Sequence, residues 1–312
     1  MAVSITYHLY LKKKSMFSRR HPYLFFILVS SSIFAAVIIG ISTLIFLGTR
    51  ESDFNMGEKV GVVEISGIIT DARDTIRNIK KYREDDSIKA IVLRIDSPGG
   101  VVGPAQEIYR EVRKTVGEKK IIASMGAVAA SGGYYVAAGT DGIMANPGTI
   151  TGSIGVIIGY TNFEEILQKI GLYPVVVKSG EYKDMGSPVR KMTEREKKLL
   201  QDFVDSTHRQ FVAAVAEGRK MDPAKVRAVA DGRIITGEDA KSLGLVDRLG
   251  NIEDAIEWAG RMGGIKGKIS AVYSRKANIS FIDYFIESSI MKIVNRIVNP
   301  ELYVGYILKA PI

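Results

Sequence analysis

Cysteine is absent from this 312-residue chain, and histidine is nearly so. The three histidines are His8, His21 and His208, and only His208 lies well beyond the N-terminal region. Without thiols the chain can hold no disulfide scaffold, zinc finger, iron–sulfur cluster or cysteine nucleophile. A zinc site with two or three histidine ligands is disfavoured, and no acidic loop of the calcium-binding type occurs. We therefore expect no metal and no cofactor.

Charge is missing from residues 23–47, a run of 25 residues. At about 1.5 Å per residue, a helix of that length crosses a hydrocarbon core roughly 30 Å thick. The alternative is a cleaved signal peptide, but its apolar region is usually about 7–15 residues long. No convincing small-residue cleavage site follows Leu47. We therefore predict one uncleaved transmembrane helix.

Basic residues lie mainly before this helix, and no acidic residue occurs before Glu51. The positive-inside rule therefore predicts a cytoplasmic N-terminus and an extracytoplasmic main domain in a single-pass protein of the cytoplasmic membrane. The net charge is +9, of which residues 51–312 carry about +3, so we expect no nucleic-acid partner. Met16 is an alternative start that leaves this topology unchanged. The basic residues around the helix are Lys12, Lys13, Lys14, Arg19, Arg20 and Arg50.

Apolar, β-branched segments alternate with amphipathic segments from residue 60 onward. This alternation predicts βαβ units, right-handed crossovers and a largely parallel sheet. The predicted strands are 60–65, 88–95, 120–124, a short strand after 156, 175–178 and 268–273. The predicted helices are 74–82, 105–116, one opening at Ser131, 162–170, 193–219, 222–230, 237–243, 252–262 and an apolar-striped helix at 281–298.

Ser131 is set among small residues at a predicted strand-to-helix turn. A serine there can be a nucleophile, and a lysine can replace histidine as its base. Small residues around a serine more often serve only close helix–sheet packing. Two glycine turns, 99–100 and 132–133, are predicted at the same sheet edge, where their N–H groups could hold an oxyanion. Lys183 is the candidate base, although its basic neighbours also fit an ordinary surface loop.

Four segments, in this order along the chain, resemble the signal peptide peptidase A family in its half-size, single-anchor form. The resemblance covers roughly residues 58–250, and residues from about 265 onward match no motif. The four segments are Asp96-Ser97-Pro98-Gly99-Gly100, Ala129-Ala130-Ser131-Gly132-Gly133-Tyr134-Tyr135, Thr151-Gly152-Ser153-Ile154-Gly155-Val156 and Lys178-Ser179-Gly180-Glu181-Tyr182-Lys183.

The resemblance implies an α/β, Clp-protease/crotonase-like fold of repeated ββα and βαβ units. It matches Ser131 to the nucleophile, Lys183 to the general base and Ser153 to the hydroxyl that orients the lysine. Gly100 and Gly132 match the oxyanion donors. It also implies dome-like, membrane-anchored homo-oligomers in which the adjacent protomer supplies the lysine. The implied substrates are remnant signal peptides and other unfolded or hydrophobic polypeptides.

The predicted organisation has five segments. They are a basic cytoplasmic N-terminus (1–22), a transmembrane helix (23–47), a linker (48–57), a catalytic α/β domain (58–265) and a C-terminal extension (266–312). The extension could pack on the domain, on a neighbouring subunit or on the membrane surface.

Three other functions compete with the peptidase. A crotonase-like enzyme that binds acyl-CoA shares the fold but needs neither Ser131 nor Lys183, and an extracytoplasmic domain counts against it. A non-catalytic membrane scaffold with this fold would lack the serine/lysine dyad, but Ser131 and Lys183 are both present. Membrane proteases partnered with stomatin-like proteins have a shorter serine-to-lysine interval and further transmembrane spans.

Overall fold

The computed structural model describes residues 21–48, 58–274 and 303–307. It divides the chain into two compact units, Met1–Met56 and Gly57–Ile312. The strands of the second unit are β1 (Lys59–Ser66), β2 (Ile88–Ser97), β3 (Gly99–Val101), β4 (Lys120–Ala130), β5 (Gly142–Ala145), β6 (Ile150–Gly152), β7 (Ile157–Gly159), β8 (Ile234–Thr236), β9 (Arg248–Leu249), β10 (Ser270–Tyr273) and β11 (Tyr303–Ile307).

The first unit contains helix α1 (Pro22–Gly48), which has 27 residues. At about 1.5 Å per residue it is about 40 Å long. Its hydroxyl side chains donate to carbonyl oxygens three or four residues earlier, as Thr43 does to Ile39 at 2.7 Å, so these polar groups are satisfied inside the helix. The helix is long and apolar enough to cross a membrane.

The helices of the second unit lie between these strands along the chain. They are α2 (Arg73–Glu84), α3 (Val102–Val116), α4 (Gly132–Ala138), α5 (Glu164–Lys169), α6 (Glu194–Arg219), α7 (Pro223–Arg227), α8 (Gly237–Ser242) and α9 (Ile252–Met262).

The main sheet is largely parallel, as the alternation of segments predicts. Among the described residues it has eight strands, six of them in the order β10-β1-β2-β4-β5-β9, with β6 paired to β4 and β8 paired to β6. The β6–β8 pairing is antiparallel, and the other pairings are parallel. The predicted Clp-protease-like α/β fold is confirmed.

The central strands are buried on both faces, which explains their continuous apolar sequences. In β2, Ile91 and Leu93 pack into the larger core, which α2, α3, α4 and α6 help to form. Val92 faces the opposite core, where it packs with Ala255 and Ala259 of α9. Two helical layers therefore enclose the sheet and leave the carboxyl ends of its strands to form a site.

A second, smaller sheet lies beside the carboxyl end of β2. It consists of β3, β11 and β7, with β11 in the middle and antiparallel to both neighbours. Both β10 and β11 come from the predicted C-terminal extension. The extension therefore contributes one strand to each sheet, while the five predicted segment boundaries stay predictions.

Most predicted elements match the structure, and one is wrong. The predicted strand over 175–178 is neither strand nor helix, and Val175 and Val177 are 88% and 97% exposed. A strand needs a partner for its backbone groups, and the described residues of the subunit provide none there. The predicted helix over 281–298 lies outside the described residues.

Candidate active site

Ser131 is held in a strained backbone conformation between β4 and α4. Its φ is 54° and its ψ is −117°, and it is one of three described non-glycine residues with positive φ. Its N–H donates to the Gly152 carbonyl at 2.9 Å, and its own carbonyl accepts from the Tyr135 N–H at 2.8 Å. Such conformations cost about 1–3 kcal/mol and cluster at active sites. A sharp strand-to-helix turn of this kind exposes the nucleophile in other serine hydrolases.

Ser153 lies beside Ser131 because their strands are paired. In the ladder of β4 and β6, Ala130 is opposite Gly152, so each serine directly follows a paired residue. The Ser153 N–H donates to the Arg233 carbonyl at 2.7 Å, and φ at Ser153 is 49°. Both serines are buried. The two hydroxyl-bearing residues are therefore fixed at neighbouring strand ends.

The glycines after Ser131 allow close approach to the end of β2. A Cβ at Gly133 would lie 3.0 Å from the Ser97 carbonyl oxygen, which is tighter than ordinary contact. Gly132 is the first residue of α4, and its N–H therefore has no partner inside that helix. The structure thus brings the turn at 132–133 and the end of β2 together, as the sequence predicts.

Gly100 lies in β3, which is paired along both edges. On one edge, Val101 N–H donates to the Ile69 carbonyl at 2.8 Å, and Ile69 N–H donates to the Gly99 carbonyl at 2.9 Å. The Gly99 carbonyl and the Gly100 N–H belong to one trans peptide and point in opposite directions. The Gly100 N–H therefore faces the edge occupied by β11, where Tyr306 is in register with Gly100.

Lys183 is exposed, and among the described residues no hydrogen bond joins it to the other predicted site residues. It lies in an exposed turn, where its N–H donates to the Gly180 carbonyl at 3.2 Å. Within the described part of the chain, no hydrogen bond or ion pair joins its amine to Ser131 or to any other residue. Ser131 and Ser153 are buried whereas Lys183 is exposed.

Arg190 lowers the pKa of two carboxyl groups next to this turn. Its hydrogen bonds, followed by that of Lys178, hold the pKa of Asp184 well below its usual range. Its hydrogen bonds, followed by one from the Thr193 N–H, lower the pKa of Glu196 to about 2. Both carboxylates are therefore ionised at neutral pH.

Sequence reasoning missed this cluster and β11. Arg190 is close in sequence to Lys178 and Lys191, a pattern that favours an ordinary basic surface loop. A usable signal was Thr193 followed three residues later by Glu196, the capping box that starts α6 in the structure. Among the described residues no group of three histidine, aspartate or glutamate side chains could hold a metal ion.

Two family models match the chain, and they overlap at the Ser131 segment. The model described as Clp protease matches residues 62–151. The model described as Peptidase family S49 matches residues 113–266, which include Ser131, Ser153 and Lys183.

Proteins from several organisms are similar to this chain. A putative protease of Synechocystis is 45% identical over 209 residues, which cover 67% of this chain and 76% of that protein. A putative signal peptide peptidase SppA of Enterococcus faecium is 40% identical over 217 residues, 64% of this chain and 62% of that protein. Protease 4 of Salmonella typhi is 34% identical over 220 residues, 67% of this chain but 35% of that protein. The resemblance that the motifs carry is thus confirmed, and the chain belongs to peptidase family S49 as a serine protease.

Proposed function

We propose that this protein is a membrane-anchored serine endopeptidase with Ser131 as nucleophile and Lys183 as general base. The observation that carries the proposal is the backbone of Ser131, buried and held at φ 54° between a strand and a helix. Strain at a buried residue between a strand and a helix favours a functional reason, since most side chains avoid positive φ. Nucleophilic attack by a fixed hydroxyl supplies that reason.

The reaction passes through an acyl-enzyme. The Ser131 oxygen attacks the carbonyl carbon of the scissile peptide and transfers its proton to the Lys183 amine. The C–N bond then breaks, and the lysine ammonium returns the proton to the departing amine. Water hydrolyses the resulting ester by the same sequence, which releases the acid and restores the serine.

Backbone N–H groups stabilise the negative charge that develops on the carbonyl oxygen. We assign the Gly132 and Gly100 N–H groups to this role. The Gly132 N–H opens α4, and the Gly100 N–H faces the edge that β11 occupies and that a bound substrate would take over. Fixed donors of this kind contribute about 10²–10³ in rate each. We assign the Ser153 hydroxyl to orienting the lysine amine, since Ser153 lies at the strand end beside Ser131.

A neighbouring subunit supplies the lysine in this proposal. The exposed position of Lys183 favours this arrangement, since the amine lies at the surface of its own subunit. The residues before it form an exposed, mainly apolar segment (166–177), in which Val175 and Val177 are the most exposed of the large apolar side chains. Burial of this segment in a homo-oligomer removes apolar surface from water. It also desolvates the amine, which favours the neutral form that a base requires.

The substrates are extended polypeptides, in the first place remnant signal peptides. Relatives named signal peptide peptidase support this class of substrate. The small sheet supports the extended conformation, because β3 has an edge that pairs with an antiparallel strand beside Gly100. Peptides bound in this way gain affinity from main-chain hydrogen bonds, which depend little on the side chains of the peptide. Other unfolded or hydrophobic chains therefore also fit.

The anchor is α1, with the N-terminus in the cytoplasm and the catalytic unit on the other side. Its length, its apolar composition and the basic residues before it support this orientation. A catalytic unit on that side meets the signal peptides that remain in the membrane after secretion.

Covalent labelling of the full-length protein in detergent tests the proposal. The wild type, Ser131→Ala and Lys183→Ala are incubated with a fluorophosphonate and, in parallel, with an unfolded polypeptide. Intact mass should show one adduct on wild-type Ser131, and both variants should lose adduct and cleavage. Full cleavage by Ser131→Ala would reject the nucleophile. Absence of adduct and cleavage from an assembled wild type would favour the crotonase-like binder or the scaffold.

A further inference from the structure

We propose that Asp184 and Arg190 are positioning residues that hold the turn of Lys183 against the start of α6 and keep its amine free of ion pairs. The proposal rests on the function proposed for Lys183. It adds two residues that act on the base without touching the substrate.

The turn of Lys183 has little support from regular structure. Residues 170–193, all of which are described, contain neither helix nor strand. The apolar segment before the turn is exposed, as Val177 illustrates at 97%. A base must nevertheless reach the nucleophile within hydrogen-bond distance, and a misplacement of about 1 Å costs about 100-fold in rate. The turn therefore needs specific contacts to fix it.

The guanidinium of Arg190 supplies those contacts. It donates from Nε to Asp184 Oδ2 and from Nη2 to Asp184 Oδ1, both at 2.8 Å. It also donates from Nη1 to Glu196 Oε2 at 2.9 Å and from Nη2 to Glu196 Oε1. Both pairs are bidentate, the geometry in which arginine gives the strongest and most directional ion pairs. Arg190 thus links the residue after Lys183 to the first turn of α6.

Tyr182, the residue before Lys183, also contacts the start of α6. The Arg195 guanidinium lies 5.5 Å from the ring centre of Tyr182, and Arg195 is the second residue of α6. Further along, the helix packs into the main core, where Phe211 is fully buried. Both neighbours of Lys183 are thus connected to the first turn of one helix, Asp184 through Arg190 and Tyr182 directly, and Lys183 itself is exposed.

The cluster also balances its charge without Lys183. Two cations, Lys178 and Arg190, face two carboxylates, Asp184 and Glu196, and the Lys178 amine lies 2.6 Å from Asp184 Oδ1. On the other side of Lys183, the Glu181 carboxylate lies 3.8 Å from the Arg195 guanidinium, so it is paired as well. An unpaired carboxylate next to Lys183 would attract its ammonium and hold the proton on it. Because Asp184 already accepts from two cations, Lys183 makes no ion pair within the described residues. The amine therefore stays available to lose its proton.

Steady-state kinetics of the full-length protein in detergent test the proposal. The variants are Asp184→Asn, Arg190→Gln and the conservative Arg190→Lys. Glu194→Gln is the matched control, because it breaks an exposed pair with Lys197 on the same helix and does not reach the turn. Each variant is first checked for assembly and for its unfolding temperature. The readouts are kcat, KM and the acidic limb of the pH profile of kcat/KM.

We expect kcat to fall about 10- to 100-fold in Asp184→Asn and Arg190→Gln, with a small change in KM. The acidic limb should move to lower pH in Asp184→Asn, because the cluster gains positive charge that disfavours the ammonium. It should move to higher pH in Arg190→Gln, because a free carboxylate favours the ammonium. Arg190→Lys should keep the wild-type limb with reduced kcat, and Glu194→Gln should match the wild type.

A purely structural role would lower stability without moving the two limbs in opposite directions. Wild-type kcat and wild-type limbs in both Asp184→Asn and Arg190→Gln would overturn the proposal, as would limbs that shift in the same direction. Lys183→Ala is measured alongside to separate the two hypotheses. An active Lys183→Ala would reject the proposed function itself, whereas an inactive Lys183→Ala with unaffected Asp184→Asn and Arg190→Gln would reject the positioning role alone.

Discussion

At the scale of single residues, the candidate site is built from conformations and contacts that tolerate few side chains. Ser131 and Ser153 both adopt positive φ, at 54° and 49°. Gly100 lies against the Ile69 backbone with no room for a Cβ. Each of these constraints is a separate cost to folding, and each can be tested by a substitution that changes one property only.

Replacing Ser131 by glycine separates the strain from the chemistry. Glycine adopts positive φ without a Cβ clash, so Ser131→Gly should be more stable than Ser131→Ala by about 1 kcal/mol. Both variants lack the hydroxyl and should not cleave peptides. Urea unfolding of the two proteins measures the difference in stability. Equal stabilities would show that the backbone at position 131 is not strained.

Gly100→Ala should lose activity and stability, because the added Cβ would overlap the Ile69 backbone and push β3 away. The matched control is Gly103→Ala in α3, where a Cβ meets nothing within 4 Å. The control should keep full activity and lose no stability, since Gly103 lies in the first turn of α3 and alanine is well tolerated in a helix. Peptide cleavage and unfolding temperature check both. A fully active Gly100→Ala would remove β3 from the site.

At the scale of elements, two segments depend on partners outside their own local sequence. The turn of Lys183 depends on the charged start of α6, and the small sheet depends on β11 from the far end of the chain. Neither contact gives a periodic signal in the sequence. A change that breaks one of these contacts should therefore loosen the segment that depends on it.

Acid should loosen the turn of Lys183. The pKa of Glu196 is lowered from its ordinary value of 4.5 to about 2 by Arg190 and the Thr193 N–H. A lowered pKa stabilises the folded form above the ordinary pKa, and this contribution is lost as the pH falls through the folded value. The hydrogen-exchange protection factors of residues 178–192, which correct for the slower intrinsic exchange in acid, should therefore fall between about pH 5 and pH 2. Glu196→Gln should show low protection factors with little pH dependence, and wild-type protection factors that stay constant from about pH 5 to pH 2 would contradict the assignment.

Removal of residues 303–312 should raise kcat/KM for unfolded polypeptides. β11 pairs with β3 and β7 and occupies the edge that the Gly100 N–H faces. An extended substrate that pairs with β3 would compete with β11 for that edge. The matched control is removal of residues 308–312, which leaves β11 intact. Equal kcat/KM in both truncated proteins and the wild type would show that β11 does not compete with substrate.

At the scale of the whole molecule, activity should require assembly. Ser131 is buried and Lys183 is exposed, with no hydrogen bond between them among the described residues, and the proposal places the exposed apolar segment 166–177 against a second copy. In a dyad shared between neighbours, each subunit contributes a serine to one site and a lysine to another. The subunit alone is then incomplete.

Mixing the inactive variants Ser131→Ala and Lys183→Ala should restore part of the activity. In a mixed oligomer, the serine of one variant meets the lysine of the other at some interfaces, while the remaining interfaces stay inactive. The two proteins are unfolded together and reassembled in detergent, and peptide cleavage is measured. The control mixes each variant with itself. If mixed oligomers verified by mass stay inactive, the dyad lies within one chain.

Much of the fold of this protein can be predicted from its sequence alone. The four motifs give the candidate site residues through their resemblance to a peptidase family, whereas the uncharged run and the alternation of segments predict the apolar helix and the parallel sheet. They do so because burial on both faces of a sheet demands continuous apolar strands, and tight turns demand glycine. These requirements are local and therefore visible in a short stretch of residues.

The tertiary structure decided what the sequence could not. It placed Ser153 beside Ser131, inserted β11 between β3 and β7, and left 175–178 without a strand partner among the described residues. It also joined Arg190 to Asp184 and Glu196 at the start of α6. Each of these depends on which backbone groups and charges meet in space. Pairings between distant parts of a chain are set by packing and by the need to satisfy every buried polar group.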